Sequence, residues 1–258
     1  MKLSEIDLRP PKILLMGQYG TGKTALACTL GEYCQVLDLD EGLLTCLTFE
    51  DKFQETRSKI DIVPCYETKT FTPNAFHNVA QIVADIHSQC KKGTYPFKAL
   101  VIDGLTNLTN FAMDYVLYNS GMIKPDYSNS SNFSAKGKLL TAPGVHHWGA
   151  RDALLQRFLM YLKALPIVVV LIAHTMITTL DDISIITLAC KGQKFPPEVP
   201  GNFSEVWRTY VKAKKFVIQT KSTPIFPART RANLETDIEQ DLGMIEILKK
   251  CGYDITKE

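Results

Sequence analysis

The sequence predicts an α/β fold in which helices flank a mostly parallel central sheet. Through the first two-thirds of the chain, short apolar segments of strand length alternate with segments whose apolar residues recur at helical spacing. Toward the end, short strand-like segments follow one another across turns, which favours a short antiparallel extension of the sheet. We predict a single domain over residues 1–258, because this length supports one large core and the sequence contains no evident repeat or domain boundary.

Strands and helices of the first half alternate in chain order. The predicted strands are Lys12–Gly17, Cys34–Asp40 and Phe97–Asp103, and the predicted helices are Thr24–Glu32, Thr72–Cys90 and Asn107–Tyr118. Pro73 stands in the first turn of the second helix, where its missing N–H costs no hydrogen bond.

Two long irregular stretches interrupt this pattern in the second half. The first, Gly121–His147, is rich in Ser, Asn and Gly and is too long for an ordinary connection, and the second is Thr175–Asn202. Between them we predict a helix over Trp148–Leu165 and a strand that ends at Ala173. The remaining predicted elements are strands near Trp207–Val211, Phe216–Thr220 and Ile225–Pro227, and a helix over Leu234–Lys250.

The composition is that of a soluble globular protein, with 45% hydrophobic and 22% charged residues. No apolar run approaches the roughly 20 residues that span a bilayer, and the first residues lack a signal-peptide core. The seven cysteines form no C-x-x-C pair, which favours reduced thiols over a zinc or redox site. The net charge of +2 does not by itself indicate nucleic acid. We therefore expect a cytoplasmic protein without a membrane partner.

The segment "GQYGTGKT" fits the pattern G-x-x-x-x-G-K-[ST] without a mismatch. Its glycines let the backbone curl so that successive N–H groups face one anion, and the next helix adds its positive end. We expect Lys23 to reach the β- and γ-phosphates of ATP and the Thr24 hydroxyl to bind Mg²⁺. The predicted nucleotide-binding residues are Gly17, Gln18, Tyr19, Gly20, Thr21, Gly22, Lys23, Thr24 and Ala25.

Acidic and imidazole side chains at the ends of other predicted strands complete the candidate site. Asp103 ends "ALVID" and is expected to bind Mg²⁺ with Thr24, from a strand next to the one before the phosphate loop. Asp38, Asp40 and Glu41 in "VLDLDEG" are candidates for orienting or deprotonating water, and their alternation does not separate Asp38 from Asp40. His174, after "VVVLIA", is a candidate for sensing the γ-phosphate.

These motifs, in this order and spacing from Lys12 to Arg231, resemble the RecA-type recombinase ATPases. The similarity is strongest to short phage-encoded members associated with single-strand annealing, and "HHWGARDALLQRFLMYLKALP" also looks like that family. The resemblance implies a minimal RecA-like P-loop NTPase core. It places Asp40 where the family has its water-activating acid, usually Glu, with Glu41 one residue away. It also implies that Arg229 or Arg231 reaches into the ATP site of a neighbouring subunit.

The same resemblance implies that the two irregular stretches bind single-stranded DNA. Cations neutralise phosphates and aromatic rings stack on bases. The candidate DNA-binding residues are Lys124, Lys136, Lys138, His146 and His147 with Tyr127 and Phe133 in the first stretch, and Lys191, Lys194 and Phe195 in the second. The implied partners are single-stranded DNA, further copies of the chain in a ring or filament, and a single-strand-binding protein. The implied location is the cytoplasm of the phage host.

The leading hypothesis is an ATPase that binds single-stranded DNA and promotes annealing or strand exchange. The same phosphate loop also occurs in helicase-like or DNA-packaging motors and in small-molecule kinases. A nucleotide-gated adaptor that binds ATP with little turnover is a further alternative. The sequence leaves these classes open.

Overall fold

The computed structural model describes residues 9–44, 46, 52–66, 73–122, 143–180, 183–192 and 194–257. The strands of this part are β1 (Lys12–Gly17), β2 (Cys34–Asp38), β3 (Asp61–Pro64), β4 (Ala99–Asp103), β5 (Val168–Leu180), β6 (Ile183–Leu188), β7 (Glu205–Lys212), β8 (Lys215–Gln219) and β9 (Asp237–Glu239). The α-helices are α1 (Lys23–Ala27), α2 (Gln54–Arg57), α3 (Ala75–Lys92), α4 (Leu105–Asn119), α5 (Val145–Ala164), α6 (Phe195–Glu198) and α7 (Gly243–Lys250). Three 3₁₀ segments cover Cys28–Tyr33, Val199–Asn202 and Gln240–Leu242.

The strands form one mixed sheet in the order β3-β2-β4-β5-β1-β7-β8-β9, and β6 pairs with β5 outside this path. The six strands from β3 to β7 in this order run parallel, whereas β8 and β9 are antiparallel additions. The predicted fold class, including the antiparallel extension, is therefore confirmed. Because the parallel strands share one direction, their C-terminal ends meet at one edge of the sheet.

The sheet separates two hydrophobic cores. Within β1, Leu14 and Met16 face one core while Ile13 and Leu15 face the other, as alternation along a strand requires. Helices α3, α4 and α5 cover the first core, and α1 and α7 cover the second. Each fully buried aliphatic side chain contributes about 1.5–3 kcal/mol relative to exposure. This burial on both faces fixes β1 at the centre of the sheet.

Two predicted helices differ from those observed. The helix after the phosphate loop is α-helical only to Ala27 and continues as a 3₁₀ segment, because the backbone at Gly31 leaves helical geometry. The C-terminal helix begins at Gly243 rather than Leu234, since Asp237–Glu239 pairs with β8 instead. In both places tertiary contacts override a helical pattern in the sequence.

The second predicted irregular stretch contains two paired strand segments and two short helical turns, so the prediction of an irregular stretch is wrong. Residues Thr175–Leu180 continue β5 and pair with β6, and helical turns follow over residues 195–202. Its Thr- and Ile-rich composition stabilises strands because β-branched side chains pack well on a pleated surface. Near Ile225–Pro227 only the isolated Thr223–Phe226 bridge forms within a turn, so no strand forms there.

The first predicted irregular stretch, Gly121–His147, falls largely on residues 123–142, which lie outside the described residues. At its end, α5 begins at Val145, three residues before the predicted helix start at Trp148. None of the helices in the described ranges combines the length and apolar composition that crossing a lipid bilayer requires.

Candidate functional site

The loop between β1 and α1 requires glycine at two positions for steric reasons. A Cβ at Gly17 would overlap the Thr209 hydroxyl of β7, which pairs with β1 at this point. Gly22 has φ 80°, and a Cβ there would lie 2.6 Å from Oε1 of Gln240. The loop is thus curled tightly against β7 and against Gln240, in the segment that follows β9.

Lys23 is buried inside this curled loop. Its Nζ donates hydrogen bonds to the main-chain oxygens of Gly17 (3.0 Å) and Gln18 (2.7 Å). Burial lowers the pKa of Lys23 to about 8, although Asp103 nearby favours the charged form. An anion bound against the loop would stabilise this ammonium group, because opposite charges attract strongly where water is scarce.

Thr24 and Asp103 meet directly, with the Thr24 Oγ1 donating a hydrogen bond of 2.6 Å to Asp103 Oδ2. Burial raises the pKa of Asp103 to about 6, and the Thr24 hydrogen bond opposes this rise. A hydroxyl and a carboxylate oxygen this close are the hard oxygen ligands that Mg²⁺ prefers, so the residues present fit a magnesium ion.

The position of Asp103 in the sheet differs from the prediction of a neighbouring strand. Its strand, β4, pairs with β2 and β5, and β5 lies between β4 and the phosphate-loop strand β1. The Thr24 contact still forms, because α1 starts above the strand ends and Thr24 lies in its first turn.

The structure separates the three acids near the end of β2. Asp38 is buried, and its Oδ1 accepts the Asp40 N–H at 3.2 Å. Burial raises the pKa of Asp38, and main-chain hydrogen bonds from residues of the turn partly offset this. Asp40 lines the same cavity as Lys23, and within the described chain its buried Oδ1 has no hydrogen-bond partner. Glu41 is exposed and lines a different cavity.

His174 lies at the same strand edge, where β5 pairs with β1 opposite Gly17. Its Nε2 is 3.6 Å from Asp40 Oδ2, and its ring stacks on Tyr19 with centroids 3.9 Å apart. The His174 Nδ1 is buried without a hydrogen-bond partner among the residues described. Asp40, His174 and Tyr19 therefore form one wall of the cavity.

Two adjoining cavities lie at this edge. One, of about 480 Å³, is lined mainly by polar and charged side chains, including Lys23, Thr24, Asp40, Asp103, Asn107 and His174. The other, of about 500 Å³, combines the apolar side chains of Leu26, Phe53 and Phe216 and the amide of Gln240 with six charged side chains, which are Lys52, Arg57, Lys214, Lys215, Glu239 and Asp241. Both cavities are lined by Gly22, Ala25 and Phe216, so they meet at the start of α1. Their combination suits a molecule with a highly charged end and a flatter, more apolar end.

Several site residues were missed by sequence reasoning. Gln240 Nε2 donates to the main-chain oxygens of Thr21 (3.0 Å) and Val217 (3.3 Å) and so supports the loop. Nothing near Gln240 in the sequence signals this contact, because it lies 219 positions from Thr21. Asn107 donates to Leu39 O at 3.0 Å, and its place in the first turn after the Asp103 strand was an available signal.

Thr106 connects the cavity wall to the β5–β6 hairpin. Its Oγ1 donates to Ala189 O at 3.1 Å, and the Ala189 N–H donates to His174 O at 2.8 Å. Thr106 and His174 both line the polar cavity. The base of the hairpin and the cavity therefore share one hydrogen-bonded junction.

The two candidate trans arginines lie away from this edge. Arg229 uses its Nη2 to donate to the main-chain oxygens of Pro200 (2.8 Å) and Phe203, so part of its guanidinium is already bound within its own chain. Arg231 is exposed, and its N–H donates to Glu205 Oε1 at 2.8 Å, beside the first residue of β7.

The candidate DNA-binding residues fall into three groups. Those outside the described residues are Lys124, Tyr127, Phe133, Lys136 and Lys138. Lys191 and Lys194 are exposed, whereas Phe195 is fully buried and cannot stack on a base, which corrects that prediction. His147 Nδ1 accepts the Gly144 N–H at 3.0 Å at the start of α5, and its ring lies against His146.

Comparison with known proteins yields one match of high coverage. A family model for an AAA domain, AAA_24, matches residues 9–232. The matched range contains the phosphate loop, Asp103, His174 and both arginines. No curated protein matches the sequence.

Proposed function

The chain belongs to the AAA domain family, and from this premise we propose that it binds ATP with Mg²⁺ and hydrolyses the terminal phosphate. The observation that carries the proposal is the pairing of Thr24 with Asp103 at 2.6 Å beside the buried ammonium of Lys23. These are the parts that nucleotide hydrolysis on a phosphate loop requires: a cation for the phosphates and oxygen ligands for magnesium.

Each residue of the polar cavity has a role in this proposal. The loop amides and Lys23 hold the phosphates, and Thr24 and Asp103 hold Mg²⁺, which neutralises phosphate charge when bound. Asp40 accepts a proton from the attacking water, because its carboxylate lines the cavity and its buried Oδ1 has no hydrogen-bond partner among the described residues, whereas Asp38 already accepts a main-chain N–H. His174, 3.6 Å from Asp40, lines the same cavity and would lie beside the terminal phosphate.

The adjoining cavity accepts the nucleoside. It opens beyond Gly22 and Ala25, where the phosphate loop ends, and its lining includes Phe53 and Phe216. Aromatic and aliphatic walls of this kind suit the planar, weakly polar surface of a nucleobase.

Replacement of Lys23 tests the nucleotide assignment. Lys23→Ala is expected to weaken ATP binding by about 100-fold, because a charge-assisted contact to phosphate is lost in a site with little water. The measurement is titration calorimetry with Mg-ATP, and Lys91→Ala at the exposed end of α3 is the matched control. Wild-type affinity in Lys23→Ala would remove the assignment.

At a finer level, we propose that the chain is a RecA-like recombination protein that binds single-stranded DNA, promotes annealing or strand exchange, and self-associates. Support comes from the sequence resemblance and from the exposed Lys191 and Lys194 just beyond the β5–β6 hairpin. Phosphate contacts by such lysines would make DNA binding fall steeply with salt.

Turnover of ATP with and without single-stranded DNA, combined with particle mass, tests this finer proposal. We expect DNA to raise turnover and ATP to favour an assembly larger than one chain. Turnover that is indifferent to DNA, with phosphoryl transfer to a nucleoside or nucleotide, would instead establish a kinase. Processive unwinding would establish a motor, and tight ATP binding without turnover would establish an adaptor.

A further inference from the structure

The turn between β7 and β8 is built from unusual residues. Lys212 pairs with Lys215, so Ala213 and Lys214 form a two-residue hairpin turn. Their φ angles are 49° and 66°, both in the left-handed region. Such turns normally use Asn or Gly at these positions, because a Cβ is strained there. The chain therefore keeps two strained residues in a turn that glycine would form more easily.

The three lysines of this turn are used differently. Lys212 is paired with Asp237 at 3.0 Å, and Lys215 with Glu239 at 2.6 Å. These two largely exposed ion pairs link the turn to β9 but contribute little to stability, so the β7–β8 strand pairing holds the turn. Lys214, between them, has no ion-pair partner among the described residues and lines the second cavity. The strained backbone thus places an unpaired cation at the wall of a cavity, and strain of this kind tends to persist at functional positions.

The place of Lys214 in that cavity relates it to the phosphate loop. The cavity is also lined by Gly22 and Ala25, and Phe216, two residues after Lys214, lines both cavities. The junction of the two cavities is where a nucleotide held by the loop would pass from phosphate to sugar. Lys214 lines only the second of the two cavities, so a phosphate within its reach would be the one nearest the ribose rather than the terminal one held by Lys23.

We propose that Lys214 is a nucleotide-binding residue that contacts the phosphate nearest the ribose from outside the phosphate loop. This inference rests on the proposed binding of ATP. The contact is the same in ATP and ADP, since both carry that phosphate. It therefore contributes equally to ground state and transition state, and its loss changes affinity without changing the rate at saturation.

The test compares Lys214→Asn with Lys212→Asn. Asparagine tolerates the left-handed conformation, so Lys214→Asn removes the charge and keeps the turn. We expect about a tenfold loss of affinity for both ATP and ADP, as for a charge-assisted contact near solvent, and an unchanged kcat. Lys214→Arg should restore most of the affinity. Lys212→Asn carries the same substitution in the same turn outside the cavity, and should bind both nucleotides as the wild type does.

Calorimetry for ATP and ADP, steady-state turnover and a melting temperature for each variant supply the outcomes. Unchanged ADP affinity in a folded Lys214→Asn protein would overturn the inference. A loss of kcat with normal ADP affinity would also overturn it, because the lysine would then act on the terminal phosphate or across subunits. Wild-type protein that binds neither nucleotide would overturn the proposed function as well, so the two failures are distinguishable.

Discussion

Asp103 is buried at the end of β4, and the hydroxyl of Thr24 donates the hydrogen bond that partly replaces lost water. Burial nevertheless raises the pKa of Asp103 to about 6. Between the ordinary aspartate pKa of 3.8 and this value, the folded chain binds more protons than the unfolded chain. The ionised carboxylate therefore lowers the stability of the protein without ligand as the pH rises through this window.

Asp103→Asn should remove that penalty. At pH 8 we expect the variant without ligand to melt about 2–4 °C above the wild type, the shift that about 1 kcal/mol produces in a chain of this size. At pH 4 the difference should shrink, because Asp103 is then largely protonated. Magnesium-dependent ATP binding should be lost in the same variant. Melting curves at both pH values check this, and equal melting temperatures at pH 8 would contradict it.

Asp40 and Glu41 are adjacent in sequence but differ in surroundings, and this difference predicts which acid acts. Asp40→Asn should lower turnover by about 100-fold or more, the usual contribution of a general base, while ATP binding is retained. Glu41→Gln, with the same chemical change one residue away on an exposed side chain, is the control and should keep its turnover. The opposite pattern would assign the role to Glu41.

Single residues could be predicted from the sequence where their chemistry is local. The phosphate loop needs a fixed spacing over eight positions, and Asp103 directly follows an apolar strand. Asp38 and Asp40 could not be separated, because alternation gives the face of a strand but not the partner that each carboxylate meets. The structure shows that Asp38 accepts the N–H of Asp40 in the turn directly after the strand, whereas the Asp40 carboxylate lines the cavity.

At the level of elements, the phosphate loop depends on a segment from the other end of the chain. Gln240→Ala should remove two buried hydrogen bonds, to Thr21 O and Val217 O. We expect a loss of about 1–3 kcal/mol in the free energy of unfolding, with weaker ATP binding because the loop loses its support. Chemical denaturation and calorimetry measure the two effects.

Gln81→Ala is the matched control for that experiment, since Gln81 is exposed on α3 and bonds only to Asp85 among the described contacts. It should leave unfolding and nucleotide binding unchanged. Normal ATP affinity in Gln240→Ala despite reduced stability would show that the loop holds its shape without this support.

The elements that sequence patterns missed share a cause. The strand segments of the β5–β6 hairpin, residues 175–180 and 183–188, mix Thr, Ser, Ile, Met and Leu without strict alternation, so they lack the contrast between polar and apolar faces that marks a strand. The sequence of the 3₁₀ segment after α1 predicts an α-helix because its apolar residues continue the helical spacing of α1. The amphipathic helix α3 and the apolar strand β4 carry clear sequence signals, and their predicted bounds agree with the observed bounds to within a few residues.

At the scale of the whole molecule, Arg231 cannot serve the site of its own chain. Its main chain is fixed at Glu205, which pairs with Ile13, four residues before Gly17 along β1. That separation is about 13 Å along the strand, more than an arginine side chain spans. Any catalytic role of Arg231 therefore requires a neighbouring copy.

Arg231→Ala should accordingly leave ATP affinity intact and reduce turnover by about tenfold or more at protein concentrations where copies associate. Turnover measured across a dilution series checks this. Equal turnover of Arg231→Ala and wild type in the associated state would reject the trans role.

The order of strands in the sheet could not be read from the sequence, because local patterns do not say which strands pair. The expectation that Asp103 lies on a strand next to β1 failed for this reason. The predicted place of Asp103 beside the phosphate loop does not depend on strand order, because all parallel strands end at the same edge of the sheet.

The hydrogen-bonded junction among Thr106, Ala189 and His174 lies at the root of a long hairpin, so a small tilt there displaces the far end. The paired arms of β5 and β6 extend six residues beyond it, about 20 Å. A tilt of about 5° at the root would move the far end by about 2 Å over such a length. A bound molecule that shifts Thr106 or His174 slightly would therefore produce a larger displacement at the far end of the hairpin.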